Sequence, residues 1–237
     1  MSAVPESVAN LELLDPEIHR HLRLRPYQDA VAPHFVQVVL TEFATAAACC
    51  PVLITKDNAT GAFYAGAMFG FQPRESFLDD LTARGGFKPL ALQRDGFYIN
   101  GEQVAIDRSN PRFSETEGER LFDETGQPNS CLRQIQRVLG QLQSGLQATT
   151  TFIGALAAEK LIEPIDVSLN FGGEMLTLQG LYTVSLDALR QLESAAALRL
   201  LRAGYLQHAY ILQGSLQQIP VLARMRDQVI RKLPKKR

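Results

Sequence analysis

The chain has 237 residues, 46% of them hydrophobic and 21% charged, and a formal net charge of -1. That length suits one large domain or two small interlocked ones around a substantial core. A charge so near zero gives no global electrostatic ground for binding nucleic acid or an anionic membrane. The longest apolar runs fall far short of a bilayer span: the run from Ala44 to Ile54 contains Thr45 and Pro51 and stops at Lys56 and Asp57. The first residues show no basic segment followed by an uninterrupted apolar one, and Cys49, Cys50 and Cys131 form an odd, sparse set. Both features lead to the expectation of a reduced, cytoplasmic protein.

Residues 1–33 are polar and carry Pro5, Pro16, Pro26 and Pro33. They read as a surface-wrapping segment with one helical turn over 16–24. Residues 35–40 read as a strand, followed by a short Ala-rich helix that Thr41 can cap and Pro51 ends. Residues 52–56 and 63–69 flank a Gly-containing loop and predict a hairpin. A short helix is expected over 76–81. A second hairpin, 96–99 with 103–106, turns on Asn100-Gly101, the pair best suited to a type I′ turn. Residues 107–125 are polar and are expected to be irregular.

The second half opens on a helical pattern over 130–146, with Ser130 as its cap and apolar Leu132, Ile135, Val138, Leu139 and Leu142 at helical spacing. A separate helix is expected over 149–161. A third hairpin, 165–171 with 174–178, turns on Gly172-Gly173. From Ser185 the pattern is helical, interrupted by Pro220, and 223–237 reads as a basic C-terminal tail. Strand groups and helix groups recur without the alternation of a parallel sheet. The expected class is therefore α+β, with antiparallel hairpins forming a sheet and the second-half helices packed against it. The main domain is expected to span 34–222.

The segment Gly118-Glu-Arg-Leu-Phe-Asp-Glu-Thr-Gly-Gln-Pro-Asn-Ser130 fits no catalytic signature. With His19, Leu22 and Arg23, Glu42-Phe43, Cys50-Pro-Val52, Gly86-Phe-Lys-Pro89, Arg94, Phe97, Gly180-Leu-Tyr-Thr-Val184, Gly204-Tyr-Leu206, Tyr210 and Ser215-Leu216, it forms an ordered series. That series resembles the SapC-like family of bacterial proteins, from about His19 to Leu222. The chain departs from the family where Asp95-Gly96 replaces a common Tyr-Pro, where Leu212 replaces a common His, and in having no Trp. The resemblance implies no defined chemistry. It implies a setting near flavin-dependent halogenase-like proteins, cupin-like oxygenases and TonB-dependent receptors, and, for some members, association with a surface layer. An accessory or partner role in a modification or uptake system follows from that setting, and fold alone does not fix function.

Candidate chemistry is sparse. His19 and His21 with Asp15 could supply the two His and one carboxylate of a non-haem iron site, and equally they fit a solvated turn rich in Arg20, Arg23 and Arg25. Cys131 stands one residue into a helix start, where thiolate is favoured, but no His is near it in sequence. Cys49 and Cys50 read as small core residues. Asp123-Glu-Thr-Gly126 reads as an acidic turn before a helix or as a hard-cation loop. His208 reads either as an acid or base in a pocket or as a half-buried, hydrogen-bonded side chain. Phe87, Arg94, Phe97, Tyr98, Tyr182 and Tyr210 are the ligand-binding candidates, with sheet core as the other reading for the aromatics. The expected function is a non-catalytic accessory or binding protein for a partner protein or peptide-like ligand, without a cofactor. The alternatives are a metal-dependent oxygenase-like enzyme using His19, His21 and Asp15, and a surface-layer structural protein.

Overall fold

The computed structural model describes residues 11–26, 33–85, 87–171 and 174–232. The expected Gly172-Gly173 turn and tail residues 233–237 lie outside the described residues, as do 1–10. In chain order come strands β1 (Leu11–Leu13), β2 (Arg23–Leu24) and β3 (Phe35–Gln37), a 3-10 turn Leu40–Glu42, and helix α1 (Phe43–Ala47). Strands β4 (Val52–Lys56) and β5 (Phe63–Met68) follow, then helices α2 (Leu78–Gly85) and α3 (Leu90–Gln93). Strands β6 (Phe97–Asn100), β7 (Gln103–Asp107), β8 (Phe113–Ser114) and β9 (Glu119–Arg120) precede the long helix α4 (Ser130–Ala158). Strands β10 (Ile162–Phe171) and β11 (Glu174–Val184) make a further hairpin. Helices α5 (Leu186–Arg190), α6 (Ser194–Arg202), α7 (Tyr205–Gly214) and α8 (Ile219–Lys232) complete the order, with a 3-10 turn Ser215–Gln218 before α8. The antiparallel sheets and helices make the class α+β, as expected.

The chain divides into two compact units, each drawn from separated stretches: Met1–Ala30 with Leu90–Ser144, and Val31–Pro89 with Gly145–Arg237. In the first unit, β1, β7 and β6 form one antiparallel sheet and β8, β2 and β9 another. The β6–β7 hairpin turns at Gly101, whose φ of +62° an L side chain rarely adopts. Phe97, Ile106, Leu121 and Leu132 sit at the centre of its core, and the Phe97 and Phe113 rings meet edge to face at 5.0 Å. Residues 107–125, expected to be irregular, contain β8 and β9. Each is two residues long, too short for an alternation signal, and the ladder with β2 forms them. The start of α4 also differs from expectation. The Ser130 hydroxyl donates to the Glu119 carboxylate, and that carboxylate, which also takes the Cys131 N–H at 3.4 Å, is the acceptor at the helix end.

In the second unit the five strands run antiparallel in the order β10-β11-β4-β5-β3. Val52, Leu53, Ile54, Ala65 and Ala67 are fully buried because both sheet faces are covered there. Ser215 ties the 3-10 turn before α8 to the sheet: its hydroxyl accepts the Val52 N–H at 2.9 Å and lies 2.6 Å from the Leu212 carbonyl. The helix after β3 is fixed by Glu42 and not by Thr41, since the buried Glu42 carboxylate accepts the Val39 N–H at 2.9 Å. The two helices expected over 130–146 and 149–161 are one, α4, of 29 residues. Thr149, Thr150 and Thr151 do not start a helix; their hydroxyls bond back to the carbonyls of Gly145, Leu146 and Gln147. Among the described residues no helix is long and apolar enough to cross a membrane.

Candidate functional site

The hairpin of β10 and β11 is longer than the sheet that carries it. Only the base of β11 joins β4, through Leu181 with Thr55 and Tyr182 with Ile54. Toward the tip, residues 174–178 pair with 167–171 of β10. A bulge separates base from arm, between the Ile165 and Val167 pairs, and Gly180 accommodates it at φ +74°. The Gly180 carbonyl is taken by the Thr55 hydroxyl at 2.9 Å. Val167 with Leu178 and Leu169 with Leu176 are cross-strand pairs that give the arm one apolar, half-buried face. The reverse face carries Ser168 with Thr177 and Asn170 with Met175. Strand β10 is ten residues long and stands last in the sheet order. Among the described residues no strand pairs with its outer edge.

Phe171 anchors the arm. Its ring lies 6.1 Å from that of Phe71, and the Arg226 guanidinium stands 4.8 Å from its centroid. Arg226 is 9% exposed and pairs with Glu75 at 2.9 Å, while its second nitrogen reaches Gln72 at 3.2 Å. The same Glu75 oxygen accepts the Phe71 N–H at 2.7 Å. One largely buried charge pair therefore holds α8, the segment after β5 and the hairpin together. At the base, Phe63 and Tyr182 meet edge to face at 5.0 Å. The Lys56 ammonium sits 4.9 Å from the first ring and 5.4 Å from the second. Sequence reasoning missed Arg226 and Glu75, which lie 151 positions apart and share no local pattern. It also missed the open edge.

The six ligand-binding candidates fall three to each unit. In the second unit, Phe87 is buried and stacks on Phe69, Tyr182 belongs to the cluster just described, and Tyr210 is 56% exposed on α7. In the first, Phe97 is wholly buried. Arg94 donates to the Phe97 carbonyl at 3.1 Å and covers the Tyr98 ring at 4.8 Å. Burial raises the Tyr98 hydroxyl pKa above its ordinary value, against the opposing pull of Arg94.

His19, His21 and Asp15 have separate tasks. His19 is 4% exposed, and its Nδ1 is 2.9 Å from the Asp15 N–H while its Nε2 is 3.1 Å from Glu12. Its Nδ1 also lies 3.0 Å from the Asp15 carbonyl, so both ring nitrogens are engaged by this turn and by Glu12. The Asp15 carboxylate accepts the N–H groups of Glu17 and Ile18, the latter bond holding its pKa below the ordinary carboxylate value most strongly. His21 is exposed and lines a crevice of about 330 Å³ with Arg20, Arg120, Asp123 and Glu124. Asp123 there closes a turn, accepting from the Thr125 hydroxyl and from the Thr125 and Gln127 N–H groups. Among the described residues no three His, Cys, Asp or Glu side chains gather as metal ligands.

The expectation of a thiolate-favouring Cys131 is corrected by its surroundings. Burial pushes the thiol up to about 11, and the Glu119 charge adds to the shift. Cys49 and Cys50 are buried, and both thiols donate to the Ala46 carbonyl, at 3.4 and 3.2 Å. His208 is half-buried, its Nδ1 donating to the Gly204 carbonyl at 3.0 Å between the rings of Phe43 and Phe152.

The SapC family model matches residues 14–222, a span that takes in the acidic turn, α4 and the whole β10–β11 hairpin. The chain belongs to the SapC family. The family match ends inside α8, four residues before Arg226. No curated protein and no solved structure matches the chain. Membership in the SapC family identifies the chain without assigning it a reaction.

Proposed function

We propose that this SapC-family chain is an accessory protein that binds a partner protein or peptide-like ligand by adding a strand to β10. The observation that carries the reading is the outer edge of β10, which no strand joins among the described residues and which the half-buried apolar face of the arm backs. Such an edge presents a row of backbone donors and acceptors that an extended segment completes. Pro164 has no N–H to donate, so useful addition lies beyond it, along residues 165–171. The partner classes implied by the family's setting are flavin-dependent halogenase-like proteins, cupin-like oxygenases and TonB-dependent receptors.

The test is affinity capture from the native organism, followed by hydrogen exchange on the purified complex. The expected result is reproducible capture of a protein of one of those classes, with new protection of amides within 165–171. A captured partner that leaves exchange along β10 unchanged would overturn strand addition.

A further inference from the structure

We propose that the crevice of the first unit bounded by Arg20, His21 and Arg120 binds a compact dianionic oxyanion, the phosphate group of a small phosphate ester. This site stands apart from the β10 edge and does not depend on strand addition. The crevice, of about 330 Å³, is lined by Arg20, His21, Arg120, Asp123 and Glu124. Arg20, His21 and Arg120 make no hydrogen bond or ion pair among the described residues. Arg120 also stands directly opposite Arg23 in the β2–β9 ladder, so the two side chains share one face of the sheet. Leu24, the next residue of β2, is buried in the core, which puts the arginine pair on the outer face. Arg23 gives one N–H to the Gly118 carbonyl at 2.9 Å, an uncharged acceptor that leaves its charge unanswered. Like charges directly opposite each other destabilise a ladder, and an anion beside them turns that repulsion into attraction.

The acidic wall does not cancel this charge. Asp123 is already spent: the Thr125 hydroxyl first, then the Gln127 N–H, hold its carboxyl below the ordinary value, and Arg133 adds to that pull. Glu124 is the remaining carboxylate, without a partner among the described residues. The guanidinium groups of Arg20, Arg23 and Arg120 set against Glu124 leave a surplus that suits a phosphate dianion better than a singly charged carboxylate. The frame is also fixed in advance. The Leu121 N–H donates to the Leu22 carbonyl at 3.0 Å, which ties β9 to β2 beyond the arginine pair. The turn at Gly126 packs on the first wall, since a Cβ there would stand 3.6 Å from that of Pro16. Cations held on such a frame lose little freedom on binding. Every lining side chain is charged or titratable, so the site reads the oxyanion and leaves the body of the ester in solvent.

The test is an NMR titration of the labelled full chain with inorganic phosphate, beside acetate and chloride at matched ionic strength. Phosphate is expected to give saturable shifts of the Arg20 and Arg120 Nε–H signals and of amides within 120–124, and the two monoanions are not. The double variant Arg20→Ala, Arg120→Ala is expected to bind phosphate at least about tenfold more weakly. Its melting temperature should be unchanged, because both side chains are exposed. Glu124→Gln is expected to tighten binding by removing a repelling charge. Shifts that never saturate, or that acetate and chloride reproduce, would mean diffuse screening of a charged surface and would overturn the site. Unchanged phosphate binding by the double variant, or weaker binding by Glu124→Gln, would overturn it as well.

Discussion

Cys131 lies at the second position of α4, where a helix N-terminus ordinarily draws a thiol toward thiolate. Here desolvation and the Glu119 carboxylate win. The N–H groups of Leu132 and Cys131 do pull the thiol down, but burial and the Glu119 charge together outweigh them. With the thiol at about 11 against an ordinary 9.0, its thiolate fraction near neutrality falls about hundredfold. Alkylation by iodoacetamide should accordingly be about hundredfold slower than for a free thiol, rising with pH until about 11. Glu119→Gln should recover part of that rate and not all, because burial is the larger cause. A mass-spectrometric time course on native protein decides it; a rate matching that of free cysteine would mean that the sulfur is neither desolvated nor faced by the carboxylate.

At the scale of the element, α4 contains three glycines whose surroundings differ. A Cβ at Gly140 or Gly154 meets nothing within 4 Å, whereas at Gly145 it would stand 2.6 and 2.7 Å from side-chain carbons of Val39. Val39 is wholly buried and β-branched, so it has no room to yield. Gly140→Ala and Gly154→Ala should each stabilise by about 1 kcal/mol through helix propensity. Gly145→Ala should destabilise, because overpacking of about 1–3 kcal/mol exceeds that gain. Thermal or urea melts of the three variants would show the opposed signs, and a stabilised Gly145→Ala would refute the close approach of Val39. The same helix shows what can be read from one sequence. Its apolar spacing was visible over 130–146, but the threonine run looks like a new start until Thr149 is seen accepting the Leu40 N–H at 2.8 Å. The β4–β5 and β6–β7 hairpins were legible from alternation and turn chemistry. Strand β11 was not legible beyond Leu178, because the bulge at Gly180 shifts the alternation by one residue and disguises its second half. Of the residues that hold the hairpin, the sequence singles out Tyr182 and not Arg226; a salt bridge across the fold has no local pattern.

For the whole molecule, each compact unit is assembled from two stretches of chain, so no single cut yields either unit complete. The family match ends at Leu222, yet α8 continues to Lys232 and buries Met225 and Arg226. Arg226→Ala should cost about 3 kcal/mol, since it leaves Glu75 without its cation in a largely buried place. A chain ended after Leu222 should lose more, because Met225 goes too. Chemical denaturation of both would check the order; a chain ended at Leu222 as stable as the full one would show that this last stretch of α8 carries no structural weight. On the proposed strand addition, the outer edge of β10, which no described strand joins, has a consequence beyond recognition. A strand that docks there becomes the new border of the sheet and inherits its bonding appetite. A partner offering the rim of its own folded sheet fuses two sheets and leaves no free row at the junction. A loose peptide moves the sticky border one strand outward, ready for another. Whether assembly stops at one-to-one or grows into a chain of molecules is thus decided by the far side of the guest.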